Sequence, residues 1–386
     1  MDEMEREEQA PRKCGFLKWL LFLLILVAVL AVAVLAAYRD GTGFDALRRY
    51  FAYGKSSGGE GKGVISYDAS SNNRFAVLGS SLVVLSDTEL QVLDGSGTVT
   101  ESVSVAMSAP AISVGSSCAV AYDVGGRELY VVDAKGVRLH LTAEEDEPFI
   151  AATLNGKDWL AVVSEKKKYK GSVSVYNDQM NEVFDFDSSE RFVTDAYVSD
   201  DCRSMAAVTL GQESSVFVSN VVIYALDAQE PKANYSVQNG LEVAIRQIGD
   251  ALVTVSDTCL TAGSFSGGVT QTYSYAGEYL REYSLDGDGY AVLLLNRYQS
   301  GSVGRLVTVD AKGEQMAQLD VQSEILSVSA AGRYIAVLYA DRLVIYNPDL
   351  KEYASLTGTE FAKDVLMRTD GSALLVSSEN ARVFVP

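Results

Sequence analysis

From residue 64 to the end, the chain is built of apolar runs of five to seven residues separated by Gly, Asp, Asn and Ser, with no helical periodicity. One kind of segment recurs: an apolar run ending in a polar turn, as in ELQVLDGSG (89–97), ELYVVDAKG (128–136), SVSVYNDQM (172–180), VVIYALDAQ (221–229), RLVTVDAKG (305–313) and RLVIYNPDL (342–350). Each carries an Asp or Asn where αL geometry or an Asx-turn reverses a chain, so each predicts a β-hairpin.

Ahead of these stand hairpins of a second kind: SVGSSCAVAY (113–122), TLNGKDWLAVV (153–163), VSDDCRSMAAV (198–208), LDGDGYAVLLL (285–295), SAAGRYIAVL (329–338) and RTDGSALLV (368–376). The two kinds together make a four-stranded unit. Its period is 39 residues from Asp94 to Asp133, 44 from Asp133 to Asn177 and 37 from Asp310 to Asn347, the spacing of β-propeller blades. Seven units (roughly 74–105, 110–143, 149–187, 192–237, 243–276, 279–322 and 325–357) are complete, and an eighth, 361–386, stops after its third strand. KGVISYDAS (62–70) is an orphan strand, and pairing it with the last unit closes the ring and removes two sheet edges. The reading is therefore all-β, a propeller of eight four-stranded blades. Seven blades are the alternative if the irregular unit around DTCLTAGSFSGG is an insertion, and a β-sandwich is the competing architecture.

One segment breaks the β pattern. Trp19 to Tyr38 are twenty residues without a charge, about 30 Å as a helix and enough to span a bilayer core. With aromatic residues at both ends the expected transmembrane helix covers 16–38, after a cytoplasmic tail, 1–15. A cleaved signal peptide is the competing reading. Arg6, Arg12, Lys13 and Lys18 before the span match Arg39, Arg48, Arg49 and Lys55 after it, so charge does not orient it. The short tail and large β domain favour an exported C-terminal part. Residues 39–63 read as a juxtamembrane segment, with Phe44, Leu47, Tyr50 and Phe51 on one face of a short amphipathic turn and KSSGGEGKG (55–63) as a flexible linker. The propeller domain is 64–386.

The apolar anchor, the GFDALRRYFAYG stretch and the VDAKG hairpins resemble an uncharacterised family of single-span, membrane-anchored propellers associated with Clostridia-type Gram-positive bacteria. More distantly the repeats are similar to quinoprotein-like and YVTN-type propellers, including a lipoprotein scaffold of outer-membrane assembly. The resemblance implies the propeller and the anchor. It implies no cofactor, since the blade-closing Trp and adjacent Cys pair of the quinone enzymes are missing here, and it supplies no activity to carry over.

Charge narrows the partners. The net charge is −19; the first 38 residues hold 4 basic and 5 acidic side chains, leaving 28 against 46, or −18, on the rest. That sign disfavours nucleic acid and peripheral docking on anionic lipid. Cys14, Cys118, Cys202 and Cys259 have neither zinc-ligand nor disulfide-framework spacing, although one disulfide among the last three stays open. The single histidine, His140, sits in an apparent strand and reads as structural. Asp286 and Asp288 begin an EF-hand-like D-x-D-G but lack its remaining ligands, so a hairpin turn is expected. The run Glu144, Glu145, Asp146 and Glu147 reads as a solvated loop. The cluster Lys166, Lys167, Lys168 and Lys170 reads as a polar turn, with contact to an acidic wall polymer as its functional alternative.

No catalytic, cofactor or metal residue is assigned. The expected function is a membrane-tethered, extracytoplasmic propeller acting as a protein-interaction scaffold or ligand-binding module, not an enzyme, with membrane lipid and a protein or cell-wall component as partners. The alternative is an exported cell-envelope hydrolase with its carboxylates gathered in the propeller funnel. A third reading is a sensor acting through the helix.

Overall fold

The computed structural model describes residues 14–39, 45, 49, 59–68, 70, 72–237 and 240–386. It divides into two compact units, 1–52 and 53–386. In the first, the helix Cys14–Arg39 has its described side chains, Trp19 to Val32, all exposed. Among the described residues, no helix is long and apolar enough to cross a membrane. Phe44, Leu47, Tyr50 and Phe51 of the expected amphipathic turn lie outside the described residues.

The second unit is an eight-bladed propeller. Its 32 strands form eight antiparallel sheets of four, each in sequence order except the last. Blades 1 to 7 span 74–104, 110–142, 149–188, 192–237, 242–274, 279–321 and 325–357, so the irregular fifth unit is a complete blade and not an insertion. Blade 8 takes three strands from 364–385 and its outermost from Gly59–Ser66, which pairs antiparallel with Asn380–Val385. That outermost strand begins five residues before the expected domain start, so the second half of the KSSGGEGKG segment is strand instead of linker. A register shift between Glu60 and Val64 absorbs its glycines.

The burial pattern explains why these runs form blades. The middle strands are apolar on both faces, as in Tyr290–Asn296 and Tyr334–Tyr339, where every residue is buried. Each face packs against a different neighbour: Val292 and Leu294 join the seam between blades 6 and 7, while Leu293 and Leu295 join that between blades 5 and 6. Eight clusters of buried side chains thus fill eight inter-blade seams. The outermost strands alternate, exposing every second residue in Val99–Ser104 and Gln315–Val321.

Five of the six repeated outer turns share one device. The side-chain Oδ1 of Asp94, Asp133, Asn177, Asp310 and Asn347 accepts backbone N–H bonds from residues two or four positions on, at 2.7–3.0 Å. In four of them the αL residue comes three positions after the Asp or Asn, as Gly97, Met180, Gly313 and Leu350, giving the three-residue loop with a bulge that suits twisted strands. The sixth, in blade 4, closes by Ala228 N–H to the Ala225 carbonyl instead.

Candidate functional site

The first strand of each blade lies innermost, against the first strands of its neighbours. Chain direction then puts first-to-second and third-to-fourth turns on one face of the ring, and the remaining turns and blade connections on the other. Innermost strands of adjacent blades splay apart and cannot complete a backbone ladder, so their inward N–H groups need other acceptors. Side chains of the preceding blade supply them. Ser113 Oγ accepts from Leu154 N (3.2 Å), Asp195 Oδ2 from Ile245 N (3.2 Å), Glu282 Oε1 from Val328 N (2.9 Å), Ser284 Oγ from Ala330 N (3.1 Å) and Ser329 Oγ from Met367 N (3.0 Å).

Turns on the first face tie neighbouring blades as well. Asp158, held at φ +62°, accepts bonds from Ser116 Oγ, Ser117 N and Ser117 Oγ of blade 2 at 2.6–3.0 Å. Burial would raise its carboxyl, but these donors outweigh it and hold the group below the usual aspartate value. Gly287 and Gly332 bridge the turns of blades 6 and 7.

Inside this laced ring is a cavity of about 700 Å³, to which all eight blades contribute. Its lining includes Gly115, Gly156, Asp286 and Thr369 from first-to-second turns, and Gln247 near the end of the innermost strand of blade 5, so it opens on the first face. A second cavity of about 240 Å³ continues beside blades 5 to 8. Arg246 lines both. Its Nη1 donates to the Ile245 carbonyl at 2.6 Å and lies 3.6 Å from Asp195 Oδ2, while the guanidinium sits 5.7 Å from the Tyr197 ring centroid. Asp195 also accepts from Ala196 N (2.9 Å) and Thr153 Oγ1 (3.3 Å); burial nonetheless raises its carboxyl, against the pull of Arg246. Asp286 is ringed by protein yet exposed in the channel wall. Burial raises its carboxyl too, again opposed by Arg246. Burial pushes Glu282 up to about 7, with the Val328 N–H lowering it and the charge of Asp364 raising it. Asp364 accepts from Ser327 Oγ (2.5 Å) and Val365 N (2.7 Å).

Of the residues singled out in the sequence, only Asp286 lines this channel. Its neighbour Asp288 belongs to a hairpin turn, donating its N–H to the Gly332 carbonyl. His140 is on the outermost strand of blade 2, stacked on Tyr130 with centroids 4.2 Å apart and 2.7 Å from Glu128 Oε2. Burial works to raise Glu128, and hydrogen bonds from His140 and Tyr130 overcome it and hold the carboxyl low. The acidic run and the lysine cluster, read separately in the sequence, meet: Lys167 pairs with Asp146 at 3.0 Å, and Lys166 with Asp187 at 2.9 Å. Cys118, Cys202 and Cys259 are free thiols in three different blades, and burial pushes Cys118 up to about 12. Asp195, Arg246, Glu282 and Asp364 were missed. Aligning the first strands on their bulges brings Asp195 and Glu282 to the position held by Ala151, Ala244 and Ser327 in sister blades, which is the signal that exposes them.

Residues 60–383 match a family of unknown function, DUF5711. Among curated proteins, no sequence match is found. Solved structures are similar in fold. The C-terminal WD40 domain of Sif2 aligns with 84% of this chain and 100% of its own at 14% identity and a TM-score of 0.58. BamB from Moraxella catarrhalis covers 84% of this chain and 98% of its own at 12% identity and a TM-score of 0.52. The computationally designed Ika8 protein covers 83% and 98% at 12% identity and a TM-score of 0.59. At such identities the likeness concerns the propeller fold.

Proposed function

For a chain that belongs to the family of unknown function DUF5711, we propose the role of a membrane-tethered interaction module that engages a protein or ligand at the mouth of its channel. The observation that carries this is the cavity on the first face, open to solvent and lined by all eight blades. Concave sites with a few convergent polar groups are where ligands are held. Here Arg246 and Asp286 provide opposite charges within one wall. Asp195 and Glu282 have backbone N–H groups to satisfy, which supports binding over bond breaking. Tethering rests on the sequence, where Trp19–Tyr38 is an uncharged run of twenty residues, long enough as a helix to span a bilayer core. Export of the propeller follows the expected single-span arrangement.

Two experiments test these parts separately. In intact cells, Lys135→Cys with the four native cysteines replaced by Ser reports location: labelling by a membrane-impermeant thiol reagent is expected, and labelling only after lysis would reverse the orientation. A photo-crosslinker at Gln247 or Thr369 is expected to capture a partner that one at Lys135, on an outer turn, does not. Equal capture at both positions would remove the channel mouth from the reading.

The hydrolase reading retains one observation in its favour, since Glu282 at about 7 beside Asp364 has the poise of a general acid. Turnover of purified wall polymer that Glu282→Gln abolishes would establish it.

A further inference from the structure

Five innermost strands begin with the same bulge, at Ile150, Thr194, Val243, Arg281 and Leu326. The residue before the bulge packs into the seam shared with the preceding blade. In four blades it is apolar: Phe149, Val193, Leu280 and Ile325. In blade 5 it is Glu242, 7% exposed, and neither carboxylate oxygen has a hydrogen-bond partner. The residues around it invert the usual order, with Leu241 44% and Val243 51% exposed on either side of the buried acid. The seam it enters, between blades 4 and 5, has fewer buried apolar side chains than the other seven.

The groups facing Glu242 offer little compensation. From blade 5, the Thr254 hydroxyl pulls the carboxyl down only in part, short of hydrogen-bond geometry, and Asp257 adds a like charge. From blade 4, Ser219 Oγ accepts the Glu242 backbone N–H at 3.2 Å, and Tyr235 is within electrostatic reach. Tyr275, fully buried after the last strand of blade 5, is within reach as well, and its hydroxyl is unpartnered. No cation among the described residues acts on the carboxyl. An ionised carboxylate at such a site would cost several kcal/mol; a neutral one costs less, although its unpartnered oxygens still carry a penalty that the apolar counterparts avoid.

We propose that Glu242 is a proton-dependent fastener of the seam between blades 4 and 5: protonated, it is packed in the seam, and on ionisation it leaves for solvent and loosens the strand Glu242–Ile248. The bulge at Val243 is the slack that lets it go, because a one-residue slip there exchanges a buried face for an exposed one. The device is independent of what the channel mouth binds. It would make the second face of the ring, where Leu241 and Val243 are exposed, respond to acidity outside the cell or wherever the domain resides.

Hydrogen exchange on the full chain in detergent, corrected for the intrinsic rate at each pH, tests this. The closed carboxyl is raised from 4.5 to about 8, so protection of Glu242–Ile248 is complete below the ordinary glutamate range. It is expected to fall by up to about tenfold per pH unit as pH rises and to level off above the raised value. The strand Phe149–Leu154, with Phe149 at the matching position, serves as the internal reference and is expected to show no such slope. Glu242→Gln keeps the shape and removes the charge, and should flatten the slope; Glu242→Leu, copying the sister blades, should flatten it and raise protection. Asp257→Asn should preserve the slope and move its end to lower pH. A flat wild-type profile, or an unchanged slope in Glu242→Gln, would overturn the proposal.

Discussion

At the outer edge of the ring, Asp94, Asn177, Asp310 and Asn347 reverse the chain with the same side-chain bonds and the same αL position. At the inner edge, one equivalent position is held by Ala151, Asp195, Ala244, Glu282 and Ser327. The outer turns face water and need only local chemistry, so one solution serves nearly every blade. The inner strands face one another across a channel, and each must satisfy a different neighbour. Repetition marks the parts that build the ring, and divergence marks the parts that differentiate it.

The comparison can be broken at its common foundation, the closure of blade 8. Ile65 is fully buried on the closing strand, and Ile65→Asp places an unpaired charge there, with an expected loss of about 4 kcal/mol or more, seen as a fall in the thermal midpoint by circular dichroism. Next is an inner turn: Asp158→Ala leaves three donors of blade 2 without their acceptor, and should cost about 2–3 kcal/mol in chemical denaturation. Because Asp158 is held low in the folded state, its contribution is present above the ordinary carboxylate range and is lost as pH falls. Glu282 has the opposite sign. Raised from 4.5 to about 7, it makes stability decline as pH climbs through that interval, and Glu282→Gln should remove that decline from a melting series. An outer turn is expected to matter less, with Asp310→Ala losing the bonds to Lys312 N and Glu314 N at about 1 kcal/mol. Smallest of all is Asp286→Asn, which should leave stability within about 0.5 kcal/mol while abolishing capture by the crosslinker at Gln247. Should Asp286→Asn instead destabilise as much as Asp158→Ala, the inner face would be structural throughout.

The ring was legible in the sequence because its determinants are local. Hairpin turns, the apolar middle strands and the missing fourth strand of the last unit are each written within about ten residues, and the pairing of the leading strand with the last unit followed from counting. The linker was misjudged at its second half because Gly59–Gly63 has the composition of flexible chain, whereas an available edge on Asn380–Val385 overrides it. The channel was not legible. Arg246, Asp195 and Asp286 stand in three blades, and an inward-facing polar residue looks in one dimension like any polar residue on an alternating strand. The same limit applied to Lys167 and Asp146, which only the packing of neighbouring loops brings together.

The closing strand also sets a schedule. The Tyr67 hydroxyl lies 2.8 Å from the carbonyl of Asn380, 313 residues later, so the first strand to be synthesised is among the last to find its place. Through all of translation and any passage across a membrane, Gly59–Ser66 has no partner and blade 1 has an unprotected flank. Such long-range pairing makes closure slow and exposes the nascent chain to wrong partners. A chain cut before Asn380–Val385 leaves Gly59–Ser66 without its partner, which makes that six-residue strand the checkpoint of biosynthesis.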